Sequence, residues 1–250
     1  MFALELFYVT RVNAPRLFPS RLERVALTAL LVLTLEKAAL GETEPASAHQ
    51  DSSPRWTAES DTKGVVTYSR IHEGSALREW KGVGVIEAAP GTVFAVLDDS
   101  EAYPSFMPYT AECRILQRAK DWVIAYQRLE LPLVSDRDYT LRSQNDKWFG
   151  PDGAIYRIRW APANDKGPAV KPGVLRVNVC EGGWLLEPEG ASSTRATYSI
   201  FTDSGGTLPP FLANKGSRIA IQRVFRALRE RVKNPKYAAG QAKPEAAVAQ

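Results

Sequence analysis

Four carboxylates sit in segments where a general acid or base could meet a buried substrate: Glu79, Asp98, Glu130 and Asp138. No two of them stand at a spacing that marks a cooperating acid and base, which must both reach one reacting bond. The chain has 2 histidines, His49 and His72, and 2 cysteines, Cys113 and Cys180. They do not cluster at zinc-ligand spacing, and they leave no imidazole placed for a nucleophile triad. The sequence therefore assigns no catalytic residue, no metal ligand and no cofactor. Cys113 and Cys180 fall inside separate strand-like runs, so we expect two free thiols.

More is carried by residues that do no chemistry themselves. In Arg137-Asp138-Tyr139-Thr140-Leu141-Arg142-Ser143, alternation places Tyr139, Leu141 and Ser143 on one face and Asp138, Thr140 and Arg142 on the other. We take the first set as inward. Arg137 and Asp138 could equally form a salt bridge with Tyr139 filling core. Arg176 and Asn178 alternate with aliphatics in Val174 to Cys180, and we expect them to face water. The stretch Leu129 to Asp136 is apolar, with Leu131 and Leu133, although it links two strands; such loops cover a cavity, touch a membrane or pack as a tight corner.

The elements that position these residues follow from periodicity. Gly64 to Ile71 and Leu77 to Ala88 are rich in β-branched and aromatic residues around Glu73-Gly74-Ser75, which predicts a hairpin. Pro90 opens a short helix, and Tyr103 to Tyr109 reads as a further helical turn. Strands are expected at 113–118, 121–129, 137–146, 155–160, 174–186 and 194–202. Their short turns argue for an antiparallel meander over parallel βαβ units. Ser217 to Val232 has no Gly or Pro and brings Ile221, Val224, Phe225, Leu228 and Val232 onto one face within an arc of about 100°. Arg218, Arg223, Arg226, Arg229 and Lys233 lie mostly opposite.

At 250 residues, 44% hydrophobic and 24% charged, the chain has the composition of a globular domain. Its net charge of +4 is too small to imply nucleic acid. Arg11, Arg16, Arg21 and Arg24 precede the apolar run Val25 to Leu35, and Ala46-Ser47-Ala48 follows it. That layout predicts a secretory leader over 1–48, and hence a periplasmic or extracellular protein. Residues 49–63 are polar and read as a linker leading into Trp56; we set the linker at 49–55, the folded domain at 56–233 and a disordered tail at 234–250.

Several pieces in order resemble a known family: Leu77-Arg78-Glu79-Trp80-Lys81-Gly82-Val83-Gly84, Tyr103-Pro104-Ser105-Phe106-Met107-Pro108-Tyr109, Leu131-Pro132-Leu133-Val134-Ser135-Asp136-Arg137-Asp138-Tyr139, Gly183-Trp184-Leu185-Leu186 and Gly206-Thr207-Leu208-Pro209-Pro210-Phe211. Over residues 56–233 the chain resembles the START (StAR-related lipid transfer) domain. The resemblance implies an α+β helix-grip fold, in which a curved antiparallel sheet wraps a long C-terminal helix around an internal hydrophobic cavity. It implies a monomer that binds a sterol, phospholipid or similar lipid, without catalysis. An enzyme on the same fold, or a protein-interaction module, is the alternative. The residues expected around such a ligand are Tyr139, Leu141, Ser143, Leu131, Leu133, Leu208, Phe211, Ile221, Val224, Phe225 and Leu228. Arg218, Arg226, Arg229 and Lys233 are expected to meet an anionic membrane during loading and release.

Overall fold

Residues 55–132, 134–206 and 209–240 are described by a computed structural model. The expected leader over 1–48, together with Leu133 and Leu208, lies outside the described residues. Strands β1 (Thr57–Thr62), β2 (Val65–Ile71) and β3 (Arg78–Ile86) form an antiparallel N-terminal sheet. The chain then crosses to the far edge through helix α1 (Pro90–Asp98) and a 3-10 turn over Ser100–Ser105. From there β4 (Thr110–Arg118), β5 (Trp122–Leu129), β6 (Asp136–Gly150) and β7 (Gly153–Pro162) run as a meander. After β8 (Val174–Arg176), strands β9 (Val179–Glu189) and β10 (Ser193–Asp203) complete it, and β10 pairs back onto β3. The sheet order is β1-β2-β3-β10-β9-β7-β6-β5-β4, and helix α2 (Pro210–Arg231) lies on its N-terminal end, chiefly against β3 and β2.

Strand β6 is longer than expected because its hairpin with β7 stays paired as far as Gly150 opposite Gly153, and it has two partners on one edge. Its half from Leu141 to Gly150 pairs with β7, which ends at Pro162 opposite Leu141. The ladder makes one bond beyond it, Ala163 N–H to the Thr140 carbonyl at 2.8 Å, and stops there because the Thr140 N–H is taken by a side chain. The following segment turns back and lays β8 parallel to Asp136, Arg137 and Asp138. So the run expected as one strand over 174–186 is two, and the sheet is antiparallel except at this pair. Asn164 fastens the crossing: its Oδ1 accepts the Thr140 N–H at 2.8 Å and its Nδ2 donates to the Val177 carbonyl at 2.8 Å.

Three further expectations are corrected. Residues 57–62 form β1, although they read as polar linker, because pairing with β2 satisfies their backbone while nearly every side chain stays in water. Helix α2 starts at Pro210 and not at Ser217, since Pro is well suited to the first helical turn and Gly216 is tolerated inside it. The tail is ordered as far as Gly240: Pro235–Gly240 is a 3-10 turn, and Tyr237 is buried with its hydroxyl 2.7 Å from Asp99 Oδ2.

The helix comes close to the sheet because β3 carries glycines beneath it. A Cβ on Gly82 would stand 2.5 Å from Ile221 Cγ2, and one on Gly84 would stand 3.2 Å from Phe225 Cε1. Ile221, Phe225 and Leu228 are fully buried there with Val65, Trp80 and Trp184. We predict that Gly82→Ala lowers stability by about 1–3 kcal/mol through overpacking. Gly216→Ala, where nothing lies within 4 Å of the added methyl, should raise it by about 0.5–1 kcal/mol. Urea denaturation of the two variants checks both signs.

Candidate functional site: a cavity between the sheet and the helices

Strand β6 sets the long wall of the cavity. Tyr139, Leu141, Ser143 and Asn145 project from alternate positions into the concave face, about 7 Å apart along the strand. Register places Gln127, Ala125 and Val123 of β5 across from Tyr139, Leu141 and Ser143, and Trp160 of β7 beyond Ser143. Tyr198 and Ile200 of β10, with Cys180 and Trp184 of β9, form the other wall. Leu97 and Asp98 of α1, then Tyr103 and Met107, close one end, and Val224 of α2 reaches in from the helix. The space between them measures about 170 Å³ and is partly open to solvent.

The aromatic side of this wall depends on another missing side chain. A Cβ on Gly182 would stand 2.6 Å from Trp160 Cζ2, so the indole can lie flat across β9 only because that residue is glycine. Tyr198 then packs between two tryptophans, with ring centres 5.8 Å from Trp160 and 4.6 Å from Trp184. The Trp160 Nε1 and Ser100 Oγ atoms are buried without a hydrogen-bond partner.

The cavity is close to neutral. Among the described residues no Lys, Arg or His lines it, and Asp98 is its one carboxylate. Asp98 Oδ2 accepts from Arg118 Nη1 at 2.8 Å, and Oδ1 accepts from Asn145 Nδ2 at 3.2 Å. At the other end the Tyr139 hydroxyl donates to Gln127 Oε1 at 3.2 Å. Burial raises the phenols of Tyr103, Tyr139 and Tyr198, and it pushes the Cys180 thiol up to about 11. These groups stay protonated at neutral pH, and the Tyr103 hydroxyl donates to the Leu97 carbonyl at 2.6 Å.

The other acids are bound up elsewhere. Glu79 is gripped by Arg70 at 2.6 Å and His72 at 3.0 Å; burial acts upward on its carboxyl, but those partners hold it below the usual range. Glu130 pairs with Arg128 at 2.8 Å on the surface. Asp138, fully buried on the outer face, takes Arg176 at 2.6 Å and the Tyr126 hydroxyl at 3.2 Å. Arg176 was expected in water, and its side chain is instead 12% exposed, because the segment after β7 folds over it. Arg137 does not pair with Asp138; it donates to the carbonyls of Ser135 and Ser204.

Of the residues expected around a ligand, Tyr139, Leu141, Ser143 and Val224 line the cavity. Ile221, Phe225 and Leu228 do not, because the glycines of β3 draw that face of α2 into solid core. Leu131 is half-buried outside the lining, and Phe211 is 69% exposed, as α2 begins earlier than its pattern suggested. Among the cations, Arg226 is exposed and Arg218 half-buried. Lys233 is exposed and pairs with Glu230 at 2.9 Å. Arg229 is corrected outright: its guanidinium donates to the carbonyls of Val85, Lys63 and Gly64 at 2.9, 2.6 and 3.1 Å, tying α2 to the N-terminal strands. Trp160, Trp184, Tyr198 and Ile200 were missed; alternation gives each strand two faces, and only their mutual register selects one.

A sheet that grips a C-terminal helix across an internal cavity is the helix-grip architecture of START domains. Residues 86–229 match the family described as polyketide cyclase / dehydrase and lipid transport, and the chain belongs to that family. A crystal structure of a STAR-related lipid transfer protein (fragment 25–204) from Xanthomonas axonopodis superposes with a TM-score of 0.65 at 29% identity, covering 72% of this chain and 99% of that one. Human StAR-related lipid transfer protein 5 shares the fold, with a TM-score of 0.62 at 18% identity over 74% of this chain and 88% of its own. The phosphatidylcholine transfer protein of Mus musculus is 23% identical over 168 residues, which is 66% of this chain and 78% of the relative.

Two outcomes test this description. Asp138→Ala leaves Arg176 buried without its counter-charge and should cost about 3–5 kcal/mol in thermal or urea unfolding. With burial raising Cys180 to about 11 and Cys113 to about 12, both thiols should resist a disulfide reagent at pH 8 and react once denaturant is added.

Proposed function

We propose that this chain is a non-catalytic binder and carrier of a hydrophobic ligand such as a sterol or phospholipid. The observation that carries the reading is the cavity itself: walled by aromatic and aliphatic side chains, with a few fixed polar groups and its single carboxylate ion-paired. Removing apolar surface from water favours binding by about 25 cal/mol per Å² with no reacting group needed. The names of the relatives, which include lipid transfer proteins, point the same way.

The volume of about 170 Å³ is below the roughly 300–1,000 Å³ usual for ligand pockets, so a whole lipid requires the walls to separate. The first turns of α2 bury no side chain fully and are tied to β3 through Asn214, whose Oδ1 accepts from the Arg78 N–H at 3.1 Å and Trp80 Nε1 at 3.4 Å. Phe211, Leu212 and Ile219 are exposed, whereas burial begins at Ile221 and the Arg229 contacts fix the C-terminal end. With Arg218 and Arg226 nearby in the helix, this apolar edge suits contact with an anionic membrane surface during loading. We read the mature chain as an exported monomer.

Native mass spectrometry of the protein from its host, with lipid extraction, tests the set. We expect a monomer that starts near His49 and carries one lipid. Ser143→Trp, which fills the middle of the cavity, should abolish that lipid while leaving the fold intact by circular dichroism. A wild-type protein that stays empty after incubation with sterols, phospholipids and fatty acids would rule out the carrier.

A further inference from the structure

We propose that Arg137 is the binding site for the oxyanion of an amphiphilic ligand, at the end of the cavity remote from α1. The inference rests on the carrier reading above and adds the ligand's chemical class. Arg137 precedes Tyr139 by one alternation on β6, so it shares the concave face and stands about 7 Å beyond the last polar pair of the cavity. Its residue is only 3% exposed. Yet among the described residues it has no carboxylate within ion-pair distance, and its acceptors are two backbone carbonyls, Ser135 and, at 3.4 Å, Ser204.

A buried guanidinium is costly without a counter-charge, and carbonyl dipoles offset only part of that cost. The neighbouring position shows the contrast. Arg176, on the other face of the same strand pair, is met by Asp138 in a two-point contact at 2.6 and 3.1 Å. The adjacent carboxylate is thus committed to the outer face, and the inner arginine, whose Nε and Nη1 each donate to a carbonyl, keeps Nη2 and the second Nη1 hydrogen for a carboxylate or phosphate.

Access requires the backbone around it to move. Ser135 and Ser204 lie outside regular structure, and Gly205 and Gly206 follow with φ of +66° and +77°. A Cβ on Gly206 would stand 3.0 Å from Leu175 Cδ1 and 3.6 Å from Arg137 Nη2, so this flexible backbone is what packs directly over the guanidinium. The cavity beyond has no cation of its own. An amphiphile would therefore lie with its neutral tail along Tyr139, Leu141 and Ser143 and its acid group on Arg137. A fatty-acid carboxylate and a lipid phosphate offer the same chemistry.

Affinities of oleate, lysophosphatidic acid and oleyl alcohol, measured by tryptophan quenching below their aggregation concentrations, test the site. The wild-type chain should favour an acid over the alcohol by roughly tenfold or more, as expected for a charge-assisted hydrogen-bonded pair. Whichever acid binds tighter identifies the oxyanion's source. Arg137→Gln should lose the preference with its affinity for the alcohol unchanged, and Arg137→Lys should keep part of it. Equal wild-type affinity for acid and alcohol, or a preference that survives in Arg137→Gln, overturns the site; the wild-type comparison decides alone if that variant does not fold. Failure of all three compounds to bind the wild type would instead count against the carrier reading.

Discussion

The close contact between α2 and β3 governs the rest of the molecule. Gly82 and Gly84 remove the two side chains that would hold the helix away, and Ile221 and Phe225 occupy the space. The helix is therefore drawn to the β2–β3 end of the sheet, with Arg229 locking it there. A helix centred on the sheet would fill the concave face. Displaced to one end, it leaves β5, β6, β7 and β9 curving over a gap that α1 and the turn after it close without filling. The cavity is in this sense a product of where the helix cannot be.

Strand β6 is the second structural constraint, because it separates two environments along its length. Its concave residues, Arg137 to Asn145, pass from a buried cation through an aromatic and aliphatic middle to a polar end at Asp98. Its outer residues Asp138 and Thr140 are sealed by the segment that carries β8. Asn164 makes that arrangement possible, because its side chain takes the Thr140 N–H where the β7 ladder stops and holds the Val177 carbonyl where the second partner ends. Charge is thereby kept outside the cavity wall or at its end, and the middle stays neutral.

Much of this was legible in the amino-acid sequence. Alternation chose the inward face of β6 correctly at Tyr139, Leu141 and Ser143, and the spacing of α2's apolar residues identified its buried stripe. The failures have physical causes. β1 is held by backbone pairing with hardly any buried side chain, so its composition reads as linker. The split at Val177-Asn178 depends on a distant side chain, Asn164, and on a parallel partner, neither visible in a local window. The stripe of α2 was assigned to the cavity because a pattern shows that a face is buried without showing against what. Arg229 looked like a surface cation because its three carbonyl partners come from distant strands. Tyr237 is a single aromatic anchor in a polar tail, too isolated to register as periodicity.

The central claim is that apolar ligand occupies the space between β6 and α2. It is tested most directly by a crystal structure of the protein with a lipid brominated along its acyl chain, using the bromine's anomalous scattering to locate it. The account predicts bromine between Leu141, Trp160 and Val224, with the surrounding walls spread apart relative to the empty form. Bromine found only against the exposed Phe211 and Leu212, with the cavity unchanged, would contradict it.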